Sequence, residues 1–456
     1  SSVAGETSPP NIILIMADNL GYGDLGSYGQ RRIQTPVLDR MADEGMRFTQ
    51  FYSGAVVCAP ARCALMTGLH TGHCRIRGNH RDSDVQAMKP EDVTIAEVVR
   101  RRGYATAVIG KWGLGDEGNA GVPNLQGFDH FFGYLNQVHA HNYYPHFLWR
   151  NQERVKLANV VKHPEKLYQS PELAGAATKR VDYAPDLFTA EALAFIRRQP
   201  AEKPFFLYLP YNYPHPNCES WLLKQHGAEV PDYGPYAKED WPDVQKGHAA
   251  MITRMDRDVG RILDALEERG SDQETLVMFT SDNGPHEGDR LDPEFNDSNG
   301  PLRGVLRDVY EGGIRVPMIA RWPGRIAPES VTDHVSSLVD VLETCADASG
   351  AKPPPGDGIS FLPTLLGRNE KQPKHDHLYW EFYERGSAQA VRLGDWKAVR
   401  MPMIHGEIEL YNLKSDPAET ANVAGDHPDL VAEIEAIMER EHQPSPLWRP
   451  PPAKQK

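Results

Sequence analysis

The stretch that decides the fold runs from Cys58 to Gly68 and reads CAPARCALMTG. Pro60 has a fixed φ angle and lacks an N–H, so it suits the first turn of a helix. Residues 62–66 are good helix formers, which predicts that Cys58 lies at or just before a helix N-terminus. Because the helix dipole favours negative charge at this end, the position beside the Cys58 side chain is suited to an anion.

The pattern C-x-P-x-R-x-x-L-x-T-G in this stretch, followed by GLHTGH at residues 68–73, resembles the signature of the type I sulfatases. The resemblance implies that a formylglycine-generating maturation enzyme oxidises Cys58 to formylglycine, an aldehyde held as its hydrate. One hydroxyl of the hydrate would attack sulfur and the other would then expel sulfate, while Arg62 steadies the nucleophile. An ordinary buried helix start would explain a lone cysteine, but not this number of matching positions.

Apolar strand-like runs alternate with helical patterns along residues 11–375, which predicts an α/β fold around a mostly parallel sheet. Helices are predicted at 35–44, 94–102, 186–198 and 244–268. The resemblance spans almost the whole chain and implies an alkaline-phosphatase-like sandwich for this catalytic domain. From residue 376 the pattern changes to short strands at 378–382, 388–392, 396–400 and 408–412, then a helix at 428–441. We therefore expect a small C-terminal subdomain of antiparallel sheet plus one helix at 376–443, and a proline-rich tail at 444–456.

Two apolar runs, at residues 11–16 and 275–280, each lead into an acid–amide pair: Asp18-Asn19 after the first and Asp282-Asn283 after the second. Open α/β sheets bind ligands at the carboxyl ends of their strands, so the two pairs are expected at one edge of the sheet. The resemblance implies that these four residues hold calcium, which prefers oxygen ligands in a loose shell. Sulfatases usually have a second aspartate where this chain has Asn19, so the site lacks one negative charge.

Two further residues follow predicted strands. Lys111 comes after the strand at 105–110, and His215 lies in Pro214-His215-Pro216 after the strand at 204–209. The resemblance implies that both bind sulfate and that His215 helps to protonate the leaving oxygen, a role that suits a pKa near neutral. A surface lysine and a loop histidine held by prolines are the alternatives.

Two positions depart from the family pattern: Gly113 replaces a histidine, and Leu306 replaces a lysine before the Glu-Gly-Gly at 311–313. Each missing charged contact to sulfate could cost about 1.5–3 kcal/mol. We expect at least one of His139, His141 and Arg307 to point into the pocket instead. The stretch HAHNYYP at 139–145 is interpreted as a pocket wall that can stack on sugars, with a buried aromatic corner as the alternative.

The charge balance limits the partners. A formal net charge of −14 argues against nucleic-acid binding, so attraction for a sulfate ester must be local. A basic cluster follows the signature and comprises Arg75, Arg77, His80 and Arg81. For this cluster, an anion-attracting surface and a solvated loop both remain open.

The compartment is inferred from the ends and apolar content of the chain. No apolar run approaches the length that crosses a bilayer. The small, polar start SSVAGE lacks an initiator Met and suggests a removed signal peptide, so we expect an exported, periplasmic or extracellular protein. The cysteines fit no zinc motif by spacing, and for the four besides Cys58 a disulfide and free thiols both stay open.

Together these features predict hydrolysis of sulfate esters on a sulfated carbohydrate, with sulfated galactose or N-acetylgalactosamine units as the first guess. Calcium would assist as a Lewis acid. A phosphoester or phosphonate hydrolase of the same superfamily is one alternative. A non-catalytic binder of sulfated glycans is another, and Asn19, Gly113 and Leu306 give it weight.

Overall fold

The computed structural model describes residues 9–80, 82, 84–165 and 170–450. Arg81 of the predicted basic cluster and residues 451–456 of the predicted tail lie outside the described residues. Within the described part of the chain, no helix is both long enough and apolar enough to cross a membrane.

The strands, numbered in chain order, alternate with helices over most of the chain. They are β1 (Asn11–Asp18), β2 (Met46–Phe48), β3 (Phe51–Tyr52), β4 (Ala105–Lys111), β5 (His130–Tyr134), β6 (Phe147–Arg150), β7 (Glu153–Lys156), β8 (Val160–Lys162), β9 (Ala176–Lys179), β10 (Phe205–Pro214), β11 (Thr275–Ser281), β12 (Met318–Arg321), β13 (Ser330–Thr332), β14 (Ser336–Ser337), β15 (Leu378–Phe382), β16 (Ala388–Leu393), β17 (Trp396–Arg400) and β18 (Ile408–Asn412).

The helices lie largely where the sequence predicts them. They are α1 (Pro36–Asp43), α2 (Cys58–Thr67), α3 (Ile95–Arg100), α4 (Ala184–Arg198), α5 (Asp243–Glu268), α6 (Glu311–Ile314), α7 (Asp340–Ser349), α8 (Leu362–Leu365) and α9 (Pro428–Glu441). Short 3-10 helices cover Gly26–Tyr28, Pro123–Leu125, His139–His141, Ser220–Leu223, Gly234–Tyr236, Asp272–Glu274, Asn369–Lys371 and Ala424–Asp426. Local chemistry explains the helix starts: Thr94 forms a capping box with Glu97 at the start of α3, and α1 has Pro36 in its first turn.

A ten-stranded sheet forms the centre of the molecule, in the order β13-β2-β12-β11-β1-β10-β4-β5-β6-β7. The strands β11, β1, β10, β4 and β5 run parallel, whereas β12, β6 and β7 pair antiparallel with their neighbours. The mostly parallel sheet that the sequence predicts is therefore confirmed. Because β1, β4, β10 and β11 are parallel, their carboxyl ends meet at one edge of the sheet.

Side chains of the central strands alternate between two cores. Along β1, Ile13 and Ile15 contribute to one apolar core, and Ile12, Leu14 and Met16 contribute to the other. Helices α1, α4 and α5 bury residues in the first core, while α2, α3 and α7 bury residues in the second. Burial on both faces is why these strands read as continuous apolar runs in the sequence.

A second sheet, of four antiparallel strands in the order β15-β16-β17-β18, follows where the sequence predicts it. One face packs on the main body through Trp380 and Val399, which share a core with Tyr52 and Ile314. The other face packs on α9. The sandwich with an antiparallel C-terminal unit is confirmed, while the domain boundary at 375/376 stays a prediction.

Candidate active site

Cys58 is the first residue of α2 and faces a cavity of about 440 Å³. Its side chain is almost fully buried, with 6% of the residue exposed. Burial raises the pKa of the Cys58 thiol, against the lowering effect of the charge on Lys111. The predicted helix start is therefore present, and Cys58 lines the cavity, where a ligand can reach it.

Charged side chains behind Cys58 form a buried network. The Arg62 guanidinium lies 2.8 Å from Oδ2 of Asp282 and 3.6 Å from Oδ2 of Asp18. Nζ of Lys111 donates to Oδ2 of Asp18 at 2.5 Å, and Arg62 also donates to the backbone carbonyl of Lys111 at 2.6 Å. Two cations and two carboxylates are thus held together at the carboxyl ends of β1, β4 and β11, with the start of α2 against them.

The protonation states of the residues in this network depend on their burial and on the charges beside them. Burial and the nearby charge of Asp18 raise the pKa of Asp282 above its usual range. Burial alone would lower the pKa of Lys111, but the negative charge of Asp18 raises it. Arg62 likewise keeps a raised pKa because Tyr208, Asp282 and Asp18 outweigh its burial. The lysine and the arginine therefore stay charged beside Cys58.

The four predicted calcium ligands come together, and their chemistry fits a hard cation. Oδ1 of Asp18 and Oδ1 of Asn283 are buried oxygens with no hydrogen-bond partner in the described part of the chain. Asn283 donates to Oδ1 of Asn19 at 2.6 Å, and the backbone N–H of Asn19 donates to Asp282 at 3.1 Å. Buried acceptors without donors are costly in protein, and a cation that binds oxygen ligands would satisfy them.

His215 and His141 lie on the cavity wall with their rings stacked, 4.8 Å between centroids and 11° between planes. Nδ1 of His215 donates to the carbonyl of Pro216 at 2.7 Å, and Nδ1 of His141 donates to Glu219 at 3.1 Å. Burial, and then the charge of Lys111, lower the pKa of His215 well below its usual range. His215 is therefore neutral in the free protein, with the lone pair on Nε2.

The interpretation of His139 as a pocket residue is corrected by the structure. Its ring is buried with centroids 4.5 Å from Phe147 and 5.0 Å from Tyr134, and it does not line the cavity. Burial lowers the pKa of His139 to about 3. The 3-10 helix over 139–141 directs neighbouring side chains differently, so His141 reaches the cavity and His139 enters the core.

The space beside Gly113 is filled by Gln137. Gly113 adopts φ of +78°, and a Cβ added there would lie 2.1 Å from Nε2 of Gln137. Gln137 lines the cavity and brings an uncharged amide to this region. Gln137 could not be identified from the sequence, because only the fold brings this side chain into the space beside Gly113.

Leu306 lines the cavity as an apolar group and belongs to the core beside Val56 and Val57. Its neighbour Arg307 also lines the cavity, with Nε 3.5 Å from Oε2 of Glu384. Of the three replacement donors expected from the sequence, His141 and Arg307 face the cavity. Their contact with a substrate stays a prediction.

Asn79 is a further polar group at the nucleophile that the sequence analysis missed. Its Nδ2 lies 3.9 Å from Sγ of Cys58, and its Oδ1 accepts from the backbone N–H of Ala59 at 3.2 Å. Charged residues in this stretch were considered, and Asn79 was missed because its amide is uncharged. His286 and Cys218 are two more cavity residues that sequence reasoning did not select.

The described residues of the basic cluster differ in role: two arginines form ion pairs with nearby carboxylates, and the histidine lines the cavity. Arg75 pairs with Glu91 and Asp92, and Arg77 is buried against Glu381. His80 lines the cavity. The five cysteines are all free thiols, which answers the open question of a disulfide.

Comparison with known proteins agrees with this geometry. The family model described as Sulfatase matches residues 10–351, and the model described as N-sulphoglucosamine sulphohydrolase, C-terminal, matches residues 306–443. The N-acetylgalactosamine-6-sulfatase of Rattus norvegicus is 33% identical over 425 residues, which covers 87% of this chain and 72% of that protein. Arylsulfatase A of Homo sapiens is 34% identical over 478 residues, which covers 94% of this chain and 87% of that protein.

Among solved structures, Ps i-CgsB in complex with k-i-k-neocarrahexaose is similar over nearly the whole chain. The TM-score is 0.79 at 27% identity, and the match covers 96% of this chain and 94% of that chain. The similarity therefore extends through both the central sheet and the C-terminal unit.

Proposed function

The chain belongs to the sulfatase family and is a sulfatase, and we propose that it hydrolyses sulfate esters of a carbohydrate with a nucleophile made from Cys58. The observation that carries the proposal is the position of Cys58. It begins α2 at a cavity, with Arg62 and Lys111 held charged behind it by Asp18 and Asp282. Helix N-termini and fixed cations favour an anion at the same point.

The nucleophile is proposed to be formylglycine at Cys58, produced by a maturation enzyme. Its hydrate would supply an oxygen nucleophile for sulfur where the encoded residue has a thiol. Asn79 and Lys111 would orient the hydroxyl groups of this hydrate, and Arg62 would fix the start of α2 through Asp282. Export to the periplasm or the exterior also stays a prediction.

Calcium is proposed to be held by the oxygens of Asp18, Asn19, Asp282 and Asn283. Bound there, it would withdraw charge from the sulfate oxygens as a Lewis acid. The two unpartnered oxygens, Oδ1 of Asp18 and Oδ1 of Asn283, support this set. The positive charges of Lys111 and Arg62 reduce the repulsion between the carboxylates around the proposed calcium ion.

The leaving alcohol is proposed to receive its proton from His215. In the free protein His215 is neutral, and its Nδ1–H is engaged by Pro216. A sulfate ester brings negative charge beside the ring, which favours the protonated form. Nε2 then carries a proton that can pass to the leaving oxygen.

The proposed substrate is a sulfated saccharide, with galactose or N-acetylgalactosamine units first. The cavity wall is rich in polar side chains such as Asn136, Gln137, Asp116 and Glu384, which suit sugar hydroxyls. The names of the relatives point the same way: one is an N-acetylgalactosamine-6-sulfatase, and one structure holds a neocarrahexaose.

A substrate panel tests the proposal. Fully converted enzyme is given defined sulfated galactose and N-acetylgalactosamine saccharides, an aryl sulfate, and the matched phosphate esters. We expect the highest kcat/KM on a saccharide sulfate and far slower hydrolysis of the phosphates. Turnover of the aryl sulfate with none on any saccharide would overturn the substrate class, and faster phosphate turnover would overturn the reaction.

A further inference from the structure

A group of soft ligands lies in the cavity wall, apart from the oxygen ligands around Asp18. It consists of His141, His215 and Cys218, and all three line the cavity. One nitrogen of each histidine and the sulfur of Cys218 lie within 4.8 Å of one another. Ligand atoms of a tetrahedral zinc site lie roughly 3.5 Å apart, so modest side-chain rotations would bring the three to binding distance.

The hydrogen bonds of the two imidazoles leave their Nε2 atoms without a proton and able to bind a cation. The Glu219 carboxylate and the Pro216 carbonyl can only accept, so Nδ1 of His141 and Nδ1 of His215 must each carry the proton. The neutral rings therefore present their Nε2 lone pairs. An imidazole that donates its other N–H to a carboxylate or carbonyl is the usual arrangement of a metal-ligating histidine.

Cys218 is held near His215 by a rigid loop. Asn217, between them, is fully buried, and its Nδ2 donates to Gly175 and Glu229, both at 3.1 Å. Its backbone N–H donates to Gly227 at 2.8 Å, and its Oδ1 accepts from the N–H of Glu219 at 3.0 Å. The Cys218 thiol lies 3.7 Å from the Pro216 carbonyl and also interacts with the Asp289 carboxylate, so a cation would replace this carboxylate as the partner of the sulfur.

We propose that His141, His215 and Cys218 form a binding site for a thiophilic divalent cation of the zinc class, with the fourth position open to the cavity. Two nitrogens and one sulfur match the ligand preference of zinc and do not match that of calcium. The bound cation occupies Nε2 of His215 and stands in the path of the substrate, so it inhibits the sulfatase. Binding is independent of the proposed function, whereas inhibition rests on it.

The binding of cobalt can be measured by its absorption spectrum, so this test of the site does not require turnover. Co²⁺ is the only transition metal added, and calcium is present throughout. The Cys58→Ala protein is used so that the thiolate comes from Cys218 and not from Cys58. We expect one Co²⁺ per chain with a sulfur-to-cobalt charge-transfer band. Cys218→Ala in the same background should lose this band and bind at least about tenfold more weakly. Cys345→Ala, which removes a buried cysteine elsewhere, should keep both.

A cobalt spectrum that is unchanged by Cys218→Ala would overturn the site, whether or not the protein acts on saccharides. Unfolding temperatures identify variants that fail to fold, and Cys218→Ser then provides a second variant with the same expected loss. In converted enzyme, Zn²⁺ should inhibit turnover, and the Zn²⁺ concentration for half-inhibition, measured against each protein's own rate without zinc, should be at least tenfold higher for Cys218→Ala. Zinc binding at Cys218 without inhibition would overturn the inhibitory role.

Discussion

The side-chain amide of Asn79 points its N–H at the sulfur of Cys58, with Nδ2 3.9 Å from Sγ. The orientation of the amide is fixed, because the N–H of Ala59 can only donate and therefore requires Oδ1 on its own side. The backbone of Asn79 is also tied, through its N–H, to Glu384 at 2.9 Å. Asn79 thus presents a donor to whatever oxygens replace the thiol at position 58.

Asn79→Ala should lower kcat by about ten- to a hundredfold, because a hydrogen bond to a charged group contributes about 1.5–3 kcal/mol. Asn79→Asp should lower it further, since a carboxylate repels the sulfate. Steady-state kinetics, normalised to the formylglycine content of each preparation, measure the effect. Asn369→Ala, on an exposed asparagine, is the control. An unchanged kcat in Asn79→Ala would remove this residue from the proposed site.

Asn19→Asp should fold and bind calcium more tightly, about tenfold, because it restores a charged ligand. The backbone of Asn19 has φ of +65°, a conformation that aspartate also tolerates. Chelation should abolish turnover by the converted enzyme, with or without the substitution. Titration with Ca²⁺ should restore turnover in both proteins, at a lower Ca²⁺ concentration in Asn19→Asp. Asn369→Asp serves as the control for added surface charge. Full activity of exhaustively metal-free protein would contradict the calcium assignment.

His139→Phe should keep turnover and flatten the pH dependence of stability. The pKa of histidine in an unfolded chain is about 6.5, whereas burial lowers that of folded His139 to about 3. Between these values the unfolded state binds the extra proton, so acidification destabilises the fold by up to about 1.4 kcal/mol per pH unit. The ring nitrogens have no hydrogen-bond partner among the described residues, so phenylalanine forfeits no bond.

Denaturant unfolding at several pH values from 6.5 to 3 measures this difference. The free energy of unfolding should fall less steeply in His139→Phe than in the unmodified protein. His405→Gln, on an exposed histidine, should leave the slope unchanged. Loss of turnover in a well-folded His139→Phe would mean that His139 contacts the substrate after all.

Arg307→Ala should raise KM about tenfold or more with a smaller change in kcat. Arg307 is partly exposed at the cavity, and its only ion pair is a 3.5 Å contact with Glu384 in the described residues, so it is available to an anion. Arg307→Lys should recover part of the loss, because lysine keeps the charge without the planar fork. Arg368→Ala is the control on an exposed arginine. An unchanged KM would place the substrate elsewhere.

The central strands could be predicted from the sequence because they are buried on both faces. Residues 12–17 of β1 and 276–279 of β11 are all apolar, so the strand pattern is plain. Strands β2, β7, β8 and β13 could not be predicted, because each has only three or four residues and is partly exposed. Their pairing depends on neighbours that lie far away in the chain.

The site was predictable where a residue ends a strand, directly follows a strand or begins a helix. Asp18, Asp282 and Lys111 are of this kind, since the topology of the sheet brings strand ends together. Loop side chains were not predictable in the same way. His139 and His141 differ by two positions, yet one enters the core and the other the cavity. Gln137 fills the gap at Gly113 only because the fold brings the two loops together.

The most direct test of the account is the dependence of turnover on the chemical state of Cys58. Preparations with graded conversion can be made by varying co-expression of a maturation enzyme, and peptide mass spectrometry gives the formylglycine fraction in each. Our prediction is that turnover of a sulfated saccharide is proportional to this fraction, extrapolates to zero at zero conversion, and is absent in Cys58→Ala. Turnover that is independent of the fraction, or that persists in Cys58→Ala, would contradict it.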